Sequence, residues 1–193
     1  MTKSIMFVGV GGQGTLLASR IFGQLLLSEG YDAKVSEVHG MSQRGGSVTT
    51  YVKYEDVSGE KVHSPIVDKG EADIIVAFEL MEAARWVSYV KDSGVMIINT
   101  QQIEPMPVIT GAVEYNQDII GKIKSLGINV ITLNALELAE KAGSARSVNV
   151  VMMGAMSKKL DFSLESWEKA VKDCAPQKTL DINLKAFELG RNA

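Results

Sequence analysis

The stretch Ile5-Met6-Phe7-Val8-Gly9-Val10-Gly11-Gly12-Gln13-Gly14-Thr15 decides how the rest of the chain reads. Its first half is a short apolar run ending in glycines, the mark of a strand buried on both faces of a parallel sheet. From Thr15 to Glu29 apolar residues fall at helical spacing, with Leu17, Ile21 and Leu25 on one face and Gly30 as the stop. Strand, turn and helix therefore follow one another directly. Gly9 to Gly14 fits G-x-G-x-x-G: glycines let the chain turn tightly and approach a ligand, and free N–H groups at a helix start favour an anion. A positive φ is expected at Gly11, which a β-branched side chain would resist. A second reading needs no ligand, because glycines at a first strand–helix turn also let the helix pack against the sheet.

Further along, Tyr31 to Val38 reads as a second strand and Ser47 to Tyr54 as a third that returns antiparallel, followed by a charged turn from Glu55 to Lys61. Asp73 to Phe78 is the clearest central strand, with a helix from Leu80 to Lys91 and another buried strand from Val95 to Asn99. Glu104-Pro105-Met106-Pro107 breaks regular structure and is expected to cross the surface as a loop. A helix over Gln117 to Ser125, stopped by Gly127, precedes a strand from Ile128 to Leu133. Helices are expected over Ala135 to Lys141, Val148 to Lys158 and Ser163 to Val171, the last capped by Ser163. Met152, Met153 and Met156 read as core filler on the middle one. A last helical face runs from Ile182 to Leu189 and stops at Gly190. Alternating strands and helices imply an α/β, Rossmann-like three-layer sandwich, its sheet mostly parallel with some antiparallel additions. With no repeat and no linker-like stretch, residues 1–193 are expected to form a single domain.

Composition removes several function classes. At 46% hydrophobic and 22% charged residues the chain has enough apolar surface to fold, so disorder is excluded. A net charge of −3 with scattered Lys and Arg lacks the footprint of a nucleic-acid binder. The one cysteine, Cys174, rules out an internal disulfide and points to a reducing compartment. It also falls short of the roughly four thiolates that an iron–sulfur cluster takes. No apolar run approaches the ~20 residues that cross a bilayer, and the start at Met1 leads into a strand without a signal peptide. A cytoplasmic location is expected.

The segment His39-Gly40-Met41-Ser42-Gln43-Arg44-Gly45-Gly46 is denser in functional groups than a connector requires. Arg44 offers a fixed fork of donors for a carboxylate or phosphate, and Gly45 and Gly46 free the backbone for an anion-binding concavity. Ser42 and Gln43 add neutral hydrogen bonding, and His39 titrates near neutral pH. Taken singly, Arg44 also reads as a solvated cation and His39 as a simply hydrogen-bonded ring. Glu37 lies near the position where a dinucleotide site places an acid for the ribose. The two histidines and one cysteine make no zinc spacing, no G-x-S-x-G elbow is present, and the glycine turn lacks the lysine of a P-loop. A complete catalytic set is missing from the chain.

Gly9 to Gly14 followed by His39 to Val48 closely resembles the gamma-type domain of the pyruvate and 2-oxoacid:ferredoxin oxidoreductases. Ser64-Pro65, the run Gly70-Glu71-Ala72-Asp73 to Ala77-Phe78-Glu79, and the tail Asn183 to Gly190 extend the likeness over nearly the whole chain. Among members of that family the indolepyruvate ferredoxin oxidoreductase beta subunit is the most similar, with pyruvate and ketoisovalerate types as relatives. The resemblance implies oxidative decarboxylation of a 2-oxoacid with electron transfer to ferredoxin. It implies thiamine diphosphate, magnesium and iron–sulfur clusters on partner chains of a hetero-oligomer, with coenzyme A as a co-substrate. The cofactor- or ligand-facing residues it suggests here are Gly9, Gly11, Gly12, Gln13, Gly14, His39, Ser42, Gln43, Arg44, Gly45 and Gly46. It implies no catalytic residue, no metal ligand and no nicotinamide cofactor. Two other readings stay open: a free-standing nucleotide- or flavin-binding module that uses Glu37, and an assembly protein that binds no small molecule.

Overall fold

A computed structural model describes residues 2–40, 45–55 and 61–193. Six strands form one sheet: β1 (Thr2–Val10), β2 (Ala33–His39), β3 (Ser47–Glu55), β4 (Ala72–Ala77), β5 (Val90–Asn99) and β6 (Asn129–Leu133). Their order across the sheet is β2-β3-β1-β4-β5-β6. β1, β4, β5 and β6 pair in parallel, while β3 runs antiparallel to both β1 and β2. The third strand thus returns antiparallel, as expected, and wedges itself beside β1.

The apolar runs are continuous because alternate residues feed two different cores. Ile5, Phe7, Ile74, Val76, Val95 and Ile97 face one side, where α1 (Thr15–Ser28), α5 (Ala135–Ala142), α6 (Val148–Ser157), α7 (Leu164–Cys174) and α8 (Leu180–Asn192) gather. Met6, Val8, Ile75, Ala77, Met96 and Ile98 face the other, covered by α2 (Leu80–Trp86) and α4 (Ile119–Ser125). The result is the three-layer α/β sandwich expected. Every residue of α6 is buried, including Met152, Met153 and Met156, because the helix lies between the sheet and α8. Ser163 caps α7 by accepting the Ser166 N–H at 3.0 Å.

Four expectations need correction. The helix expected to reach Lys91 ends at Trp86, passes through one tight turn over Val87–Tyr89 and becomes β5 at Val90. Val90 pairs with Ala72, and the Lys91 ammonium ion-pairs with Asp73, so strand contacts outweigh helical periodicity there. The Glu104–Pro107 stretch contains a single helical turn, α3 (Met106–Ile109), with Pro105 at the cap where a missing N–H costs nothing. Gly190 does not stop a helix: it lies inside α8, where a Cβ would meet the Val151 carbonyl oxygen at 2.0 Å. A Cβ on Gly154 of α6 would meet the Phe187 oxygen at 2.1 Å, so the two helices cross backbone to backbone. Finally, positive φ falls at Gly12 (107°) and Gly14 (82°), flanking Gly11 rather than on it. Most of the charged turn between Glu55 and Lys61 lies outside the described residues.

Candidate functional site

The topology collects the interesting loops at one end. Val10, His39, Ala77, Asn99 and Leu133 end their strands there, and Ser47 begins β3 opposite Val10. In open α/β sheets ligands bind outside the carboxyl ends of the strands, where the chain departs to opposite faces. Here β1 leads into α1 on one face and β4 into α2 on the other, so the crevice between them is such a point.

The first glycine-rich turn is hydrogen-bonded to the glycine pair that ends the second segment. The Gly11 N–H donates to the Gly46 oxygen at 2.8 Å, and the Gly45 N–H donates to the Gly11 oxygen at 3.4 Å. Gly11 therefore continues the ladder of β1 with β3. Ser42, Gln43 and Arg44 lie outside the described residues. Gln13 bridges the crevice: its Oε1 accepts the Val10 N–H at 2.8 Å, and its Nε2 donates to the Phe78 oxygen at 2.9 Å and Gln101 Oε1 at 3.2 Å. Both ends of its amide are committed to the fold. Gly9 leaves room for that side chain, since a Cβ there would lie 2.9 Å from Gln13 Oε1. His39 does not join the turn: it is exposed, its Nδ1 lies 3.0 Å from its neighbour's oxygen at Gly40, and β3 separates its strand from β1. The same strand order removes Glu37 from the place of a ribose acid. It pairs with Thr50 on the sheet edge, and the Thr50 hydroxyl donates to it at 3.3 Å.

Two clefts, each of about 420 Å³, open at this end. One has Gly12, Gly14 and Gln101 on one side and Leu136, Arg146 and Val148 on the other. The N-termini of α1 and α6 lie at this cleft, and neither start carries a side-chain cap. The other is walled by Gly45–Ser47, by Glu82 and Arg85 of α2, and by Ile103–Met106 with Ile109.

Sequence reading missed the acids beneath the second cleft. Glu79 is wholly buried; its Oε2 caps α2 by accepting the Glu82 N–H at 3.0 Å, and its Oε1 accepts the Ile103 N–H and the Tyr115 hydroxyl. Burial, and then that carboxylate, push the Tyr115 phenol well above its usual range. Glu82, also buried, accepts from Ser47 Oγ, Arg85 Nε and Trp86 Nε1. Buried Asn99 completes the frame, donating to the Phe78 oxygen at 3.0 Å and accepting the Ala135 N–H at 3.0 Å. A spacing of three between Glu79 and Glu82 was the only available signal, and it says nothing of burial. Cys174, half-buried at the end of α7, has its thiol pushed up by burial, which disfavours the thiolate.

The carboxyl edge of this sheet thus brings a glycine turn onto a second pair of glycines, with a cleft on either side. The same sequence pattern and fold occur in known proteins. The sequence model for pyruvate ferredoxin/flavodoxin oxidoreductase matches residues 4–193. The indolepyruvate oxidoreductase subunit IorB of Thermococcus kodakarensis is 40% identical, the match covering 98% of this chain and 95% of that protein. The ketoisovalerate oxidoreductase subunit VorA of Methanothermobacter thermautotrophicus is 30% identical over 96% of this chain but only 35% of its own length. The keto/oxoacid ferredoxin oxidoreductase gamma subunit of Geobacter sulfurreducens shares the fold, with a TM-score of 0.73, 23% identity and coverage of 98% and 96% of the two chains. The chain belongs to the pyruvate ferredoxin/flavodoxin oxidoreductase family, as a non-autonomous subunit of a hetero-oligomeric 2-oxoacid:ferredoxin oxidoreductase. Among the described residues no helix is long and apolar enough to cross a membrane.

Proposed function

We propose that this chain is the small subunit of an indolepyruvate-type enzyme, in which it closes the approach to an active site built on a larger partner. The observation that carries this reading is the joining of the two glycine segments at the carboxyl edge of the sheet, through the Gly11–Gly46 and Gly45–Gly11 hydrogen bonds. That edge presents open backbone and two clefts, while no complete catalytic set lies beside it among the described residues. The likeness to IorB, over 95% of that protein, supports the aryl-pyruvate choice among 2-oxoacids.

Thiamine diphosphate, magnesium and the iron–sulfur clusters belong to the partner chains in this reading. This chain does not fit them: it has one cysteine where a cluster takes about four thiolates. Among the described residues no group of three or more His, Cys, Asp or Glu is placed to hold a metal ion. The cofactors supply the decarboxylation and the electron transfer. This chain's part is positional: the turn at Gly9, Gly11, Gly12 and Gly14, shaped by Gln13, and the segment with Ser42, Gln43, Arg44, Gly45 and Gly46 guide the oxoacid or coenzyme A. Open N–H groups at the start of α1 favour the anionic groups of either. The exposed Met106, Ile109 and Val113 beside the second cleft suit burial by a partner. A reducing, cytoplasmic working place accords with a single thiol.

An anoxic pull-down of the tagged chain tests this, with the eluate assayed for 2-oxoacid-dependent reduction of a viologen dye. We expect a larger iron-bearing, thiamine-dependent partner and a preference for indolepyruvate over pyruvate, ketoisovalerate and 2-oxoglutarate. A chain that elutes alone and binds NAD or flavin would refute the reading. A partner recovered without activity would reduce it to an assembly role.

A further inference from the structure

Glu79 and Glu82 are the only fully buried or nearly buried carboxylates among the described residues, and they share the first turn of α2, where Glu82 lines the second cleft. Between them they accept six hydrogen bonds. Glu79 takes the Glu82 N–H at 3.0 Å, the Ile103 N–H at 3.1 Å and the Tyr115 hydroxyl at 2.5 Å. Glu82 takes Ser47 Oγ at 2.5 Å, Arg85 Nε at 3.1 Å and Trp86 Nε1 at 3.3 Å. Burying two carboxylates beside one cation is expensive, and a fold retains such a pair only where every oxygen is satisfied. Two of these donors, Ser47 and Ile103, come from opposite walls of the cleft.

Ser47 follows directly on Gly45 and Gly46, the residues laddered to Gly11. A path of hydrogen bonds, joined by the Gly46–Ser47 peptide and by the backbone of Glu82, therefore runs from the glycine turn through Ser47 to Glu82, then through Glu79 to Ile103 and Tyr115. We infer that Glu82 is a positioning residue: acting through Ser47, it fixes the Gly11–Gly46 pair at the carboxyl edge and so sets the geometry in which the complex takes up its ligand. This deepens the proposed function and rests on it. The chemistry asks for a carboxylate at this place. Arg85 Nε, Trp86 Nε1 and Ser47 Oγ all donate, so a glutamine at 82 would turn its NH2 toward a partner that already donates. Only the serine hydroxyl can rotate to accept, so a glutamine would keep the Ser47 link and only a side chain without oxygens cuts it.

The test uses the complex reconstituted from the full chain and its partner subunits, with Glu82→Met, Ser47→Ala and Ser47→Thr. Ser47→Ala cuts the path beside the glycine pair and leaves the α2 side of the Glu82 network in place. We expect KM for the oxoacid or coenzyme A to rise about tenfold in Ser47→Ala and Glu82→Met, with kcat changed about twofold or less. The double variant should be no worse than Glu82→Met alone, because both remove one link. Ser47→Thr keeps the hydroxyl and should keep KM near the wild-type value. Amide exchange in the isolated chain gives a readout independent of turnover: the Gly11 and Gly45 N–H groups should lose protection about tenfold in Ser47→Ala and in Glu82→Met. Unchanged protection overturns the inference, as does a lowered Tm with unchanged KM. An inactive wild-type complex would instead count against the proposed function, and the amide exchange would still decide the role of Glu82.

Discussion

The crossing of α6 with α8 and the carboxyl edge of the sheet both depend on glycine, for opposite reasons. At the crossing, Gly154 and Gly190 have ordinary helical backbone and no space, with carbonyl oxygens about to touch any added Cβ. At the edge, Gly12 has nothing among the described residues within 4 Å of an added Cβ but a φ of 107°. One region is held by fit, the other by backbone conformation and by hydrogen bonds to buried acids. Fit resists any change in volume, whereas Gly12 tolerates volume and resists a change in conformation; Gly9 and Gly14 beside it have neighbours within 2.9 Å and 2.7 Å of an added Cβ.

The sharpest way to break the comparison is Gly190→Ala. A methyl group forced against the Val151 carbonyl must part the two helices, and we expect a loss of about 3 kcal/mol or more, at the upper end for overpacking. Denaturant unfolding checks it, and a loss below about 1 kcal/mol would mean the crossing is looser than described. Tyr115→Phe comes next. It removes one donor from Glu79 and should cost about 1–3 kcal/mol near neutral pH. Because the folded chain holds the phenol proton above its usual range, this contribution is complete below about pH 10 and is lost as pH rises beyond it. The wild type should therefore lose more stability than Tyr115→Phe on going to alkaline pH; parallel curves would contradict the Glu79–Tyr115 bond.

Gly12→Ala should cost about 1–2 kcal/mol, the strain of a left-handed residue, with no cavity or clash to add to it. Its effect on turnover of the complex should exceed its effect on Tm. Gly40→Ala is the control: with no described residue within 4 Å of an added Cβ and no positive φ, it should shift stability by about 0.5 kcal/mol or less. A large loss there would show that openness at this edge does not mean tolerance.

The fold was legible where one physical cause dominates. Ile5–Val10, Asp73–Phe78 and Val95–Asn99 announce strands because burial on both faces leaves no room for polar residues. Gly190 was misread because a glycine that ends a helix and one that lets two helices touch look alike until the neighbour is known. Val90 was given to a helix because its pairing with Ala72 is non-local. In the site, Gly9–Gly14 and Gly45–Gly46 were legible as glycine clusters, but their mutual hydrogen bonds were not. Glu37 had the right chemistry and sequence distance, and only the strand order could dismiss it. Glu79, Glu82 and Tyr115 were invisible as a group, since a buried acid and a surface acid are spelled the same way.

The insertion of β3 between β1 and β2 also orders events in time. The β2–β3 pairing joins near neighbours, His39 with Val48 and Ala33 with Tyr54, whereas β1 must wait for Ile74 and Ile75 of β4. Hairpins close in about 1–10 μs, while pairings between distant segments pay more entropy first and come later. The β2–β3 hairpin should thus form before the crevice beside β4 exists, and pulse-labelled exchange should find the Thr49–Thr50 amides protected ahead of Val76. Newly made chain would meet its partner subunits with that hairpin already formed.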